Sequence, residues 1–137
     1  MPISDLDTLI RSMEPFLHPG RYAFATLGPE TRLGPDRIIA SIREPEGISV
    51  IVREEVAREV GLPVRFLASW ITLMVGSDLE AVGLTAAIAT ALTGAGISCN
   101  VVAGVHHDHL FVPWEKGETA MAVLRALQTG GPRAGGA

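Results

Sequence analysis

The stretch that decides the fold is residues 65–113, RFLASWITLMVGSDLEAVGLTAAIATALTGAGISCNVVAGVHHDHLFVP. Residues 65–75 are apolar on both faces, which is typical of a central strand. Residues 78–96 repeat apolar side chains every three to four positions and end in glycines, which predicts a helix. Residues 97–104 and 106–113 then predict a second pair of strands.

Outside this stretch the pattern predicts six further segments. These are a helix at 4–13, a strand at 21–27, a Gly-Pro loop at 28–36, a hairpin of 37–44 with 47–54, a helix at 54–63 and a helix at 114–131. The tail that follows has few side chains to bury, so we expect it to be disordered.

The two halves of the chain repeat one order of elements: a strand, a connection, a hairpin and a helix. In the second half the connection is a helix, whereas in the first it is only the loop 28–36. The order predicts an α+β fold of two βαββαβ units with antiparallel sheets, the first unit lacking its first helix. We divide the chain into units 1–64 and 65–129 and a tail 130–137. Strand 65–75 closes the first unit and opens the second, so another strand or another subunit must fill the second unit's last position.

Composition excludes several classes of protein. With 47% hydrophobic and 19% charged residues, the 137-residue chain is globular. Its formal net charge is −4 and its basic residues are scattered, which argues against nucleic-acid binding. Its single cysteine, Cys99, excludes an internal disulfide or a multi-cysteine zinc site and suits a reducing cytoplasm. We expect no membrane span and no secretory signal.

The sheet face opposite the helices carries large apolar side chains. In residues 65–75, Phe66, Trp70 and Met74 alternate with Leu67, Ile71 and Leu73, so both faces need cover. Two covers are open: a second copy of the chain, which we favour, or the helix 4–13 and nearby loops.

The first candidate site is the junction between strand 65–75 and the next helix. Gly83 and Leu84 place bare backbone amides near a helix N-terminus, where a carboxylate binds well. Asp78 beside them suits an ammonium group, so the pair fits the two ends of a free amino acid. The alternative is an ordinary helix start that Asp78 caps. The junction contains no dinucleotide or P-loop motif.

The second candidate is His106-His107-Asp108-His109. On a strand, His107 and His109 share a face. Three roles are open for these histidines: they line a ligand cleft, they belong to an ordinary turn or interface, or they bind a metal. A catalytic zinc ion usually needs a third protein ligand. Only His18 is left to supply one.

The remaining candidates lie on strand 97–104 and in the first hairpin. Ser98, Asn100 and Val102 share a face of the strand, where Asn100 would meet a ligand or a neighbouring chain. Cys99 is expected to be a small core residue and not a nucleophile. Residues 43–47 form either the rim of a ligand site or a plain charged turn.

The βαββαβ order and the stretch VGLTAAIATALTGAGISCNVVAGVHHDHLFVP, residues 82–113, resemble the ACT-domain superfamily. Within it, the chain is similar to small tandem bacterial members, to the regulatory ends of aspartokinases and to CASTOR-type arginine sensors. The resemblance covers about residues 20–128. It implies ferredoxin-like units whose sheets pair side by side, and an amino acid bound between two units. The positions that it implies for that site are Asp78, Val82, Gly83, Leu84 and Thr85, with Ser98 to Val101. Because the first unit lacks its first helix, the number of sites stays open.

These observations together predict a regulatory or sensor protein without catalytic activity. We expect it to bind an amino acid as a homodimer in the cytoplasm, with no cofactor, no nucleic acid and no membrane. The alternatives are a scaffold that binds another polypeptide and no metabolite, and a metal-binding protein centred on His107 and His109.

Overall fold

The computed structural model describes residues 6–74 and 83–130 of the chain. In these residues the elements are α1 (Leu6–Ser12), β1 (Pro15–Leu17), β2 (Tyr22–Leu27), β3 (Ala40–Glu44), β4 (Gly47–Arg53), α2 (Glu54–Val60), β5 (Val64–Leu73), α3 (Leu84–Gly94), β6 (Asn100–Ala103), β7 (Asp108–Pro113) and α4 (Gly117–Gln128). Single 3₁₀ turns at Pro35–Arg37 and Trp114–Lys116 complete them. The predicted disordered tail lies, apart from Gly130, outside the described residues.

All seven strands join one antiparallel sheet in the order β3-β4-β2-β5-β7-β6, with β1 also paired to β5. Strand β5 is the centre of the molecule. On one edge it pairs with β2 along Val64–Ala68 and with β1 along 71–73, and on the other it pairs with β7. The sheet therefore contains two βαββαβ units that share β5. The first unit has only the turn Pro35–Arg37 in place of its first helix, as predicted.

The vacant last position of the second unit is filled from within the chain. Strand β1 lies beside β5, so the second unit has the order β1-β5-β7-β6. The sequence did not predict β1, because its three residues directly follow a helix and begin with Pro15. Their extended conformation is set by pairing with Ile71–Leu73.

The helices cover one face of the sheet. The larger core joins Ile71, Leu73, Leu110 and Val112 of the sheet to buried residues of α1, α3 and α4. The smaller core packs α2 through Val56 and Ala57 against β2 and β4. Gly61 ends α2 with a φ of +74°, as its position in the sequence predicted.

The opposite face of the sheet is covered partly by its own curvature. Tyr22, Ala68 and Phe111 are fully buried there, and Ala40 of β3 and Val102 of β6 pack against the same cluster. Since β3 and β6 lie at opposite ends of the strand order, the sheet must curl to bring them together. Of the two covers left open for this face, the helix 4–13 is wrong, because α1 packs among α3 and α4 on the other side.

The described part of the chain contains no helix that is long and apolar enough to cross a membrane.

Candidate functional site

The predicted amino-acid site centres on the start of α3. Gly83 precedes the helix with a φ of +101°, a conformation that favours glycine, and no side chain within residues 6–74 and 83–130 caps the helix. A Cβ at Gly83 would lie 3.3 Å from Leu6 Cδ2, so α1 covers one side of this junction. The helix N-terminus supplies amide donors and a partial positive charge suited to a carboxylate.

The other predicted residues of this junction differ in what they offer. Asp78 and Val82 lie outside the described residues. Leu84 is only 3% exposed and belongs to the core, so its side chain does not face a ligand. Thr85 is exposed in the first turn of α3, where its hydroxyl is available for binding.

The residues predicted from strand 97–104 lie at the other end of the sheet. Asn100 pairs with Phe111, whereas Asp108, which begins β7, pairs with Leu73 just before the α3 junction. Ser98 and Asn100 are exposed, and Val101 packs on the helix-side core. Helix α3 alone spans roughly 16 Å at 1.5 Å per residue. A single chain therefore does not bring Ser98 and Asn100 together with Gly83 and Thr85.

The two predicted histidines occupy different settings. Because β7 begins at Asp108, His107 precedes the strand, and its carbonyl accepts a hydrogen bond from the Gly104 amide at 2.9 Å. His109 lies on the curled face, where its Nδ1 is 3.1 Å from Trp70 Nε1 and 3.0 Å from Thr72 Oγ1. The prediction that His107 and His109 share one face of a strand is therefore wrong, because only His109 lies on β7.

A third histidine, His18, completes what we call the imidazole cluster: His18, Trp70, Thr72 and His109. His18 Nε2 is 2.7 Å from Thr72 Oγ1, and its ring stacks on Trp70 with centroids 3.6 Å apart. The sequence did not reveal this cluster, because His18 is placed there by the preceding strand β1, which was not predicted. The one signal visible in the sequence was that Trp70 and Thr72, two positions apart on β5, share a face of the strand.

Hydrogen bonding sets the protonation of the imidazole cluster. The indole N–H of Trp70 can only donate, so His109 Nδ1 accepts and its proton sits on Nε2. With the Thr72 hydroxyl donating to that same nitrogen, its oxygen accepts from His18 Nε2–H. The accepting Nδ1 requires the His109 ring to be neutral. Burial lowers the pKa of His18 and of His109, and a neighbouring ring lowers each further: His109 for His18 and His107 for His109.

The cluster does not make a metal centre. His109 Nδ1 is already bound to Trp70, and residues 6–74 and 83–130 contain no group of three or more potential ligands. Cys99 is partly buried, and burial raises the pKa of its thiol to about 11, which keeps it protonated and packed in the core.

A groove of about 690 Å³ lies beside the cluster, between the turn 18–21 and the start of α4. The Arg21 guanidinium lies 4.0 Å from the centroid of the Trp114 ring, and Glu115 and Glu118 line the same groove. Ser69 donates a hydrogen bond to the Trp114 carbonyl and thereby holds this rim against β5. The groove mixes both signs of charge.

Comparison with solved structures supports the fold. A Vibrio cholerae protein of unknown function, titled a possible transport protein, is 43% identical, covers 90% of this chain and 95% of its own, and has a TM-score of 0.77. An Agrobacterium tumefaciens protein, 15% identical, matches over 85% of this chain and 89% of its own with a TM-score of 0.64. The ligand-free regulatory subunit of aspartate kinase from Thermus thermophilus is 13% identical. It matches over 86% of this chain and 97% of its own, with a TM-score of 0.58. No significant match is found among curated proteins.

Family models match the chain twice. One model described as an ACT domain matches residues 1–69, and a second ACT-domain model matches residues 66–126. The two matches overlap in β5, the strand that both structural units share. The chain therefore belongs to the ACT-domain family and carries two ACT domains in tandem.

Proposed function

We propose that this protein is a non-catalytic regulatory protein that binds a free amino acid at the start of α3. ACT domains are typically regulatory ligand-binding domains. The observation that carries the proposal is the start of α3, which follows the shared strand β5 and opens at Gly83 with no cap from a described side chain. Its amides would hold the ligand carboxylate, the Thr85 hydroxyl would add a hydrogen bond, and Asp78 would hold the ammonium group.

The proposed site is completed by a second copy of the chain. Ser98 and Asn100 lie at the end of the sheet opposite Gly83, so they reach a ligand there only from a partner subunit. Exposed apolar side chains support a homodimer. Phe16 is 51% and Met74 47% exposed, and β1–β5 pairing places them diagonally across neighbouring strands.

The chemistry of the described residues supports binding without catalysis. Thr72 resembles an activated hydroxyl because two histidines contact it, but it is only 4% exposed and no substrate can reach it. The protonated, partly buried Cys99 is a poor nucleophile. A free cysteine also suits the reducing cytoplasm, which we propose as the compartment.

Isothermal titration with each of the twenty amino acids tests the proposal. We expect one amino acid, or a small related group, to bind saturably to the wild-type protein. Thr85→Val should weaken that binding about tenfold or more, because a hydrogen bond to a charged group contributes roughly 1.5–3 kcal/mol. Thr90→Val, an exposed position farther along α3, is the matched control and should bind as wild type.

Binding by none of the twenty amino acids would contradict the proposal and favour the scaffold alternative. Equal binding by Thr85→Val and Thr90→Val would place the ligand elsewhere on the molecule.

A further inference from the structure

A cleft of about 220 Å³ opens on the curled face, between the first hairpin and the far edge of the sheet. Phe24, Ala40, Ile42 and Ile51 line it from the first ACT unit, and Val102 of β6 lines it from the second. It is therefore built by both units of one chain. It is separate from the start of α3, because none of its lining residues belongs to α1 or α3.

The walls of the cleft are mainly apolar, with one cation among them. Phe24 packs edge-on against Phe66 and Phe111, with ring centroids 5.4 Å away in each case, which fixes the floor. Ile42, on the β3 side, is 62% exposed although it is a large hydrophobic residue. An exposed isoleucine over an apolar floor leaves surface that a ligand would cover.

Arg65 is the charged residue of this lining, and it has no partner within the described part of the chain. The ion pairs there join Arg21, Arg37 and Arg58 to glutamates, and no hydrogen bond or ring contact involves Arg65. Ser49, which shares a strand face with Ile51, also lines the cleft. Its hydroxyl donates a hydrogen bond to the Glu44 carboxylate.

We propose that this cleft binds a small monocarboxylic acid with an unbranched or lightly branched apolar chain. The chain lies over Phe24 and Ile51, and the carboxylate pairs with the Arg65 guanidinium, which suits the geometry of a carboxylate. The volume is below the roughly 300–1,000 Å³ of pockets for drug-sized ligands, so the acid is short. A carboxylate on an apolar chain suits this lining, whose one charged residue is Arg65.

Isothermal titration with straight-chain carboxylates from butanoate to decanoate, each beside the alcohol of equal length, tests the inference. Affinity should rise about fourfold for each added methylene, the equivalent of roughly 0.8 kcal/mol, until the cleft is full, and then level off. Each acid should bind at least about tenfold more tightly than its alcohol, because its hydrogen bond to Arg65 is charged.

Two variants separate the parts of the cleft. Arg65→Gln should remove the preference for acid over alcohol, whereas Arg43→Gln, an exposed arginine of β3 that does not line the cleft, should keep it. Ala40→Leu should fill the cleft and weaken the acid and the alcohol alike. Circular dichroism and a urea unfolding curve for each variant show whether it is folded, and the Ala40→Leu result tests the cleft even if Arg65→Gln unfolds.

Three results would overturn the inference. They are no saturable binding of any acid, an equal preference for acid over alcohol in Arg65→Gln and Arg43→Gln, or binding that weakens as protein concentration rises because a second copy fills the cleft.

The outcome is independent of the amino-acid proposal. Thr85→Val should leave carboxylate binding unchanged, and Arg65→Gln should leave amino-acid binding unchanged.

Discussion

At the scale of single residues, the imidazole cluster links the electrostatics of the protein to its packing. His18 directly follows β1, Trp70 and Thr72 lie on β5 and His109 lies on β7, so one hydrogen-bonded group links the end of β1 to two neighbouring strands. Its hydrogen bonds require a neutral His109 ring. A proton on His109 Nδ1 would face the Trp70 N–H and break the arrangement.

This cluster predicts that stability falls in mild acid. The pKa values of His18 and His109 are lowered in the folded protein, so below the ordinary value of 6.5 the unfolded chain binds more protons. The contribution is complete well above pH 6.5 and is lost as the pH falls from about 6.5 to the lowered values, where the folded protein also takes up its protons. Urea unfolding at pH 7.5, 6.5 and 5.5 measures it.

His18→Gln and His109→Gln should each make this pH dependence shallower. His106→Gln is the control, because His106 is exposed and has no hydrogen bond within the described residues. A wild-type urea midpoint that rises between pH 7.5 and 5.5 would contradict the assignment.

A second prediction at this scale concerns Gly117, the first residue of α4. A Cβ there would lie 2.6 Å from Ser69 Oγ, and β5 cannot move away without disturbing the sheet. Gly117→Ala should therefore destabilise the protein by about 1–3 kcal/mol in urea unfolding, although alanine is a better helix former. Gly28→Ala, whose Cβ would meet only Thr31 Oγ1 at 3.9 Å, should change stability by about 0.5 kcal/mol or less. Equal effects would show that the approach of α4 to β5 is not tight.

At the scale of elements, the N-terminal segment is part of the second ACT unit. Strand β1 extends the sheet beside β5, and α1 buries Leu9 and Ile10 among α3 and α4. The segment that comes first in the chain thus completes the unit that comes last.

Leu9→Ala tests this role of α1. Leu9 is fully buried, so its truncation should cost about 2–5 kcal/mol and should lower the unfolding midpoint of the whole chain in one transition. Val105→Ala removes a well-exposed apolar side chain and should have little effect. Unfolding of α1 alone in Leu9→Ala, with the remaining helices unchanged, would show instead that the segment is a loose arm.

The sequence predicted those helices and strands whose conformation is determined by their own residues. β5 is apolar on both faces, Gly61 ends a helix, and the hairpin around residues 45–47 has β-branched strands. β1 was not predictable, because three residues have no periodicity and take their conformation from a strand more than fifty positions away.

The candidate site was predicted less well than the fold. Gly83 and Thr85 do lie at a helix start, but the opposite placement of Ser98 and Asn100 depends on the direction of β6. Which end of a sheet a residue occupies is decided by pairing and not by composition. The cluster of His18 with His109 was hidden for the same reason.

At the scale of the whole molecule, the curled sheet leaves Phe16 and Met74 exposed side by side, near the end of the sheet that holds the α3 start. We expect sedimentation velocity to show a dimer. The double variant Phe16→Glu with Met74→Glu should shift it to monomer, because two like charges would meet across the contact. Ile48→Glu makes the same kind of change on the opposite face and should remain dimeric. A wild-type monomer at all concentrations would contradict the proposed two-chain site.

The most direct test of the proposed function is a ¹⁵N chemical-shift titration of the dimer with the amino acid that binds in calorimetry. The largest shifts should fall on the amides of Gly83, Leu84 and Thr85 and, from the partner subunit, on Ser98 and Asn100. Large shifts confined to the groove near Trp114 or the cleft near Arg65, with the start of α3 unchanged, would contradict the account.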